Sequence, residues 1–190
     1  MKRTISHCLV LFFLLLAVGS APFSKMAAAG DPPRVTRSML IEAEKVLDPR
    51  VSRSSTDNPF LLLGPTRGVY LENYGAVFTA EINLVSIPAA MMMFKPITTK
   101  EEIAAHRQRK VARLPELRRA LRDALADAAA SLTVLPPDDQ VVFVAILAKY
   151  QWEDTAGIPL QIRMQASKKQ LMELRKNDAG LAAVIQTVED

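Results

Sequence analysis

The stretch GVYLENYGAVFTAEINLV, residues 68–85, decides how the chain is read, because it sets Tyr70, Glu72, Tyr74 and Glu81 among aliphatic residues. It is either a site or a core. The run is longer than the five or six residues of an average strand, and Asn73-Tyr74-Gly75 in its middle is turn chemistry. A β-hairpin follows. Two registers compete. A three-residue loop puts Gly75 where the backbone wants φ > 0, which glycine adopts without steric cost. A two-residue loop of Tyr74 and Gly75 gathers Val69, Leu71, Phe78, Ala80, Ile82 and Leu84 on one face, but forces a tyrosine into a disfavoured conformation. The glycine argument favours the three-residue loop. Glu72 then lies beside the turn and Glu81 on the opposite face, so the carboxylates diverge where an acid and base pair would converge. The expected reading is a core, with tyrosine rings packed and glutamates in solvent.

Outward from the hairpin, Thr36 or Ser38 caps a short helix bearing Leu40, Ala43 and Leu47, and Asp48-Pro49 is expected to end it. Residues 50–59 read as an exposed loop. From Thr98 to Leu132 the chain is helical, opened by Thr98 with Glu101 or Thr99 with Glu102 as capping boxes. Its apolar stripe runs Leu114, Leu117, Leu121, Leu125, Ala128, Leu132. Pro115 either kinks this helix or begins a second one. VVFVAILAKY, residues 141–150, is apolar on both alternating faces, as in a central strand covered on both sides. IPLQIRMQA, residues 158–166, alternates, as in a half-exposed antiparallel strand. Ser167 with Gln170 caps a short helix expected to end near Asn177-Asp178, with Gly180 as its stop. The tail LAAVIQTVED reads as strand or helix. The expected architecture is α+β, a mostly antiparallel sheet of four or five strands with the long helix packed on one face.

The chain opens MKRTISHCLVLFFLLLAVGSA, with basic residues, an apolar run and then small residues, the layout of a secretory signal peptide. Cleavage falls after Ala21 or among Ala27 to Ala29, so residues 1–29 form a signal and processing region and residues 30–190 a single α+β domain. Lys2, Arg3 and Lys25 go with the leader and no acid does, which cuts the formal charge from +4 to +1. Net charge then gives no reason to expect nucleic acid. Cys8, the only cysteine, also goes, as does His7, leaving His106 as the one histidine. Disulfides, cysteine-based zinc sites and cysteine nucleophiles are thereby excluded from the domain. With no Asn-x-Ser/Thr acceptor either, the composition points to a bacterial periplasm or exterior rather than a eukaryotic secretory route.

Two stretches stand out as contact surfaces. The helix carries Arg107, Arg109, Lys110, Arg113, Arg118, Arg119 and Arg122 against Glu116 and Asp123. Placed opposite the leucines, these cations form a face for an anionic surface or an acidic envelope protein. The absence of interleaved aromatics argues against single-stranded nucleic acid. Met91, Met93 and Phe94 form an apolar patch; copper ligation by the methionines is the weaker reading beside adaptable packing. His106, amid cations, reads as solvated, and Trp152 as an anchor over a sheet end. No cofactor motif appears. The expectation is an exported, non-catalytic binding domain of the cell envelope. The alternatives are a hydrolase using carboxylates or a Ser167-Lys168 pair, and a lipid or small-molecule carrier.

Overall fold

The computed structural model describes residues 34–54, 58–87 and 99–190. The leader and the patch of Met91, Met93 and Phe94 lie outside them.

Helix α1 spans Arg37–Ser52, with the Thr36 hydroxyl accepting from Met39 N at its start. It buries Leu40, Ala43, Leu47 and Val51 at steps of three and four. Contrary to expectation, it runs through Pro49. Tertiary contacts hold the last turn: Asp48 accepts from Thr66 N, Arg50 meets Asp127, and Val51 is fully buried. The carbonyl that Pro49 leaves without an N–H partner belongs to exposed Lys45.

Strand β1 (Leu61–Leu62) and strand β2 (Arg67–Leu71) follow each other along one edge of β3 (Gly75–Asn83). The hairpin between β2 and β3 has the three-residue loop Glu72–Tyr74, with Leu71 opposite Gly75. Asn73 sits at φ 62° and Gly75 at φ 139°, and a Cβ on Gly75 would fall 1.9 Å from Gln140 O on the neighbouring strand. The glycine is thus needed for both conformation and close approach. This register turns Ala76, Phe78, Ala80 and Ile82 into the core. Glu72 and Glu81 are both exposed, as expected of a core hairpin.

Helix α2, Lys100–Ser131, is a single helix through Pro115, and Thr99 with Glu102 forms its capping box. It connects β3 to β4 (Gln140–Leu147), and the two strands pair in parallel from Gly75 opposite Gln140 to Ile82 opposite Leu147. A crossover helix returns the chain to the same end of the sheet, which makes the pair parallel. The remaining pairs are antiparallel: β4 with β5 (Gln161–Ser167), and β5 with β6 (Gln186–Glu189). The architecture is α+β, with a mixed sheet of six strands rather than four or five.

Between β5 and β6 lie α3 (Lys168–Leu174), capped by Ser167 and Gln170, and α4 (Asp178–Val184). Asn177 does not end a helix but caps α4, taking a hydrogen bond from Gly180 N at 3.0 Å. The ambiguous tail supplies both a helix and a strand.

The helices share one face of the sheet, over a core that includes Phe60, Phe78, Phe143, Leu117 and Leu121. The other face leaves Val69, Leu71 and Ile146 at 54%, 48% and 46% exposure. β4 is therefore central, with its second face covered at Val142, 3% exposed, but open at Ile146. The β2 edge is closed by α1: Gly68 N donates to Glu44 Oε1, and Arg37, paired with Glu44, donates to Gly68 O, each at 2.8 Å. Such capping denies the edge to another strand. No described helix is long and apolar enough to cross a membrane.

Candidate functional site

The cations of α2 mostly face inward or sideways, each tying the helix to another part of the fold. Arg107 reaches Asp154 and Ala156 O. Arg113 lies over the Phe60 ring and donates to Leu84 O and Asn58 O. Arg118 grips Glu189 of β6 through two hydrogen bonds of 2.6 and 2.7 Å. Arg122 pairs with Asp178 of α4 at 3.5 Å. Lys110 is buried. Lys100, Arg109 and Arg119 are exposed without an acidic partner among the described residues.

Lys110 belongs to a cluster that sequence reading missed. Its Nζ lies 2.6 Å from Glu153 Oε2 and donates to Ala148 O at 2.9 Å. Glu153 Oε1 lies 2.9 Å from His106 Nε2, and all three side chains are no more than 2% exposed. Burial lowers the His106 pKa, and Lys110 and Arg109 push the same way, outweighing the upward pull of Glu153. The imidazole is therefore neutral, and because the carboxylate can only accept, Nε2 carries the proton and donates it. Trp152 meets the imidazole edge-on at 5.0 Å and stacks on Tyr150 at 5.4 Å. Asn83 Nδ2 donates to the Tyr150 hydroxyl. A signal for this cluster existed. Ile103, His106, Lys110 and Leu114 continue the leucine stripe backward at steps of three and four. The cluster closes on itself, and among the described residues it presents no nucleophile to a substrate.

The other chemical candidates separate. Ser167 Oγ serves the α3 cap, while Lys168 Nζ donates to Thr133 O and Leu135 O, and burial lowers the lysine's pKa. They form no dyad. Among the described residues no three His, Cys, Asp or Glu side chains gather to hold a metal ion.

An open groove of about 550 Å³ lies between the C-terminal turns of α1 and the middle of α2. Its charged lining is Arg50, Arg53, Glu116, Arg119, Asp123 and Asp127. Asp127 is committed: it takes Arg50 Nε at 2.5 Å and Arg175 at 2.8 Å. Burial would raise its pKa, but the two guanidinium hydrogen bonds outweigh burial and hold it below the usual carboxylate range. Glu116 lies 3.5 Å from Arg113. Among the described residues Asp123 has no hydrogen bond or ion pair. Burial raises its pKa; Asp178 and Asp127 add to that, against Arg50 and Arg122. Arg53 and Arg119 likewise have no side-chain partner among the described residues. The groove thus presents one carboxylate and two guanidiniums that no described side chain engages, a grouping that joins residues about 70 positions apart in sequence.

No family model, curated protein or solved structure matches this chain.

Proposed function

We propose that the protein is an exported, non-catalytic binding domain of the cell envelope, carried out by its leader, and that the groove between α1 and α2 is its binding site. The observation that carries this reading is the contrast between two polar clusters. His106, Lys110 and Glu153 satisfy one another in the interior, as groups that fix a fold do. Arg53, Arg119 and Asp123 line an open cavity and make no side-chain hydrogen bond or ion pair among the described residues. A concave site with a few convergent polar groups is the general form of a small-ligand pocket, and 550 Å³ is within the usual size range. The net positive count of free groups favours an anionic partner.

The test is native mass spectrometry of the protein recovered from the envelope fraction of bacteria expressing the full chain. The expected result is a processed protein lacking the leader, with a small-molecule adduct that denaturation releases and that an Arg53→Ala/Arg119→Ala variant lacks. Bare wild-type protein, or an adduct indifferent to both substitutions, would overturn the assignment of the groove. Recovery of unprocessed protein from the cytoplasm would overturn export.

A further inference from the structure

We infer the ligand's chemistry from the groove's unsatisfied groups: a small anion, carboxylate or phosphate, that also carries an ammonium or hydroxyl donor. This rests on the reading of the groove as a binding site. Arg53 comes from the C-cap of α1 and Arg119 from the exposed side of α2, so the two guanidiniums approach the cavity from separate helices. Guanidinium forks match carboxylate and phosphate oxygens. Arg50 does not join them, because Asp127 already holds its Nε.

Asp123 lies one turn beyond Arg119 on α2, yet no ion pair forms between them. An ionised carboxylate can only accept, so the group that satisfies it must donate. Its other surroundings ask for the same. The last-turn carbonyls of α1 place the negative end of a helix dipole at this end of the groove, and Asp127 and Asp178 add negative charge around Asp123. A bare anion would meet Arg53 and Arg119 but leave Asp123 without a hydrogen-bond donor, with Arg50 and Arg122 as its only nearby cations among the described residues. A molecule with an anionic group beside a donor satisfies all three. An amino acid and a hydroxylated phosphate ester have this chemistry in common, and the test separates them.

The exported protein, labelled with ¹⁵N, is titrated with four probes: L-serine, glycerol 3-phosphate, acetate and inorganic phosphate. The readout is the shift of groove amides and of the arginine Nε–H signals of Arg53 and Arg119. The expected result is saturable binding, at millimolar concentrations or below, of at least one donor-bearing probe, tighter than its donor-free counterpart. Serine binding above acetate assigns a carboxylate source, and glycerol 3-phosphate above phosphate a phosphate ester. Asp123→Asn should weaken the donor-bearing probe about tenfold or more, since it removes a charged acceptor, and leave the donor-free probe no weaker, since the same change removes a negative charge beside it. Arg53→Ala/Arg119→Ala should remove all of this binding. Arg53, Arg119 and Asp123 make no side-chain hydrogen bond or ion pair among the described residues, so each variant should keep its amide spectrum away from the groove.

Equal weakening of both probe types by Asp123→Asn would overturn the inference, as would groove signals unmoved by any probe at about 10 mM. If the groove-dependent adduct is present in native spectra while all four probes fail, the binding site stands and the ligand chemistry is wrong. If the adduct is also absent, both fall.

Discussion

Glu153→Gln isolates the role of charge in the interior, because the amide keeps the carboxylate's shape and can still accept a hydrogen bond. What it removes is the counter-charge of Lys110, whose ammonium is 2% exposed and would be left with the carbonyl of Ala148 at 2.9 Å. Breaking a buried ion pair by removing one partner costs about 3–5 kcal/mol, since the remaining charge has neither water nor a counter-charge. For a domain of this size each kcal/mol moves Tm by about 2–4 °C. The expected loss is therefore about 6–20 °C. Lys110→Met should cost less. It leaves the carboxylate beside His106, which can take up a proton and replace the missing cation, so the imidazole's pKa should rise in that variant. The double variant should lose less than the sum of the single losses, with a coupling of at least about 1 kcal/mol. Urea unfolding followed by far-UV circular dichroism measures all three. A loss below about 1 kcal/mol for Glu153→Gln, or additive losses in the double variant, would show that water reaches the cluster and refute the reasoning.

The same cluster makes stability depend on pH. His106 is neutral and desolvated when folded, so its pKa lies below the unfolded value of about 6.5. The unfolded chain then binds the proton more readily, and stability, full above that value, should fall as pH drops toward the folded pKa. Urea midpoints from pH 8 to 5 should show this fall, and His106→Gln should flatten it; an unchanged slope would locate the titration elsewhere. Gly157→Ala should cost about 1–2 kcal/mol, because φ is +75° but the space around it is open. Gly75→Ala should cost clearly more, since its Cβ also strikes the backbone of Gln140, and equal losses in thermal melts would contradict the close approach. Arg118→Ala should lower global stability by only about 0.2–1 kcal/mol, as for a partly exposed pair. Amide exchange in β6 should quicken more than in β4, and uniform protection would show that the pair does not pin that strand.

Local chemistry explains what was legible in the sequence. Gly75 announced its loop because only a residue without a side chain suits both its φ and its neighbour, and the capping boxes of Thr99 and Ser167 each lie within four residues. The misreadings come from contacts at a distance. Asp48-Pro49 looks like a helix stop until Thr66 and Asp127 arrive to hold the next turn. Asn177 and Gly180 look like a stop because the same residues that end one helix can cap the next.

The long helix shows how a correct pattern can still be cut short. Counted by residue type, its buried stripe stops at Leu114, because Lys110 and His106 belong to classes that seldom enter a core. Counted by period, the stripe runs on to Ile103 with no break. Those two residues are admitted by Glu153 and Ala148, which lie about 40 positions later and come near only once β4 is laid beside β3. The reverse holds at Arg119 and Asp123. Their spacing on α2 suits an ion pair, yet in the folded chain each remains unpaired beside α1. Charge spacing along a helix therefore shows which groups can meet, while the neighbouring element determines which are used to hold the fold and which are left open to solvent.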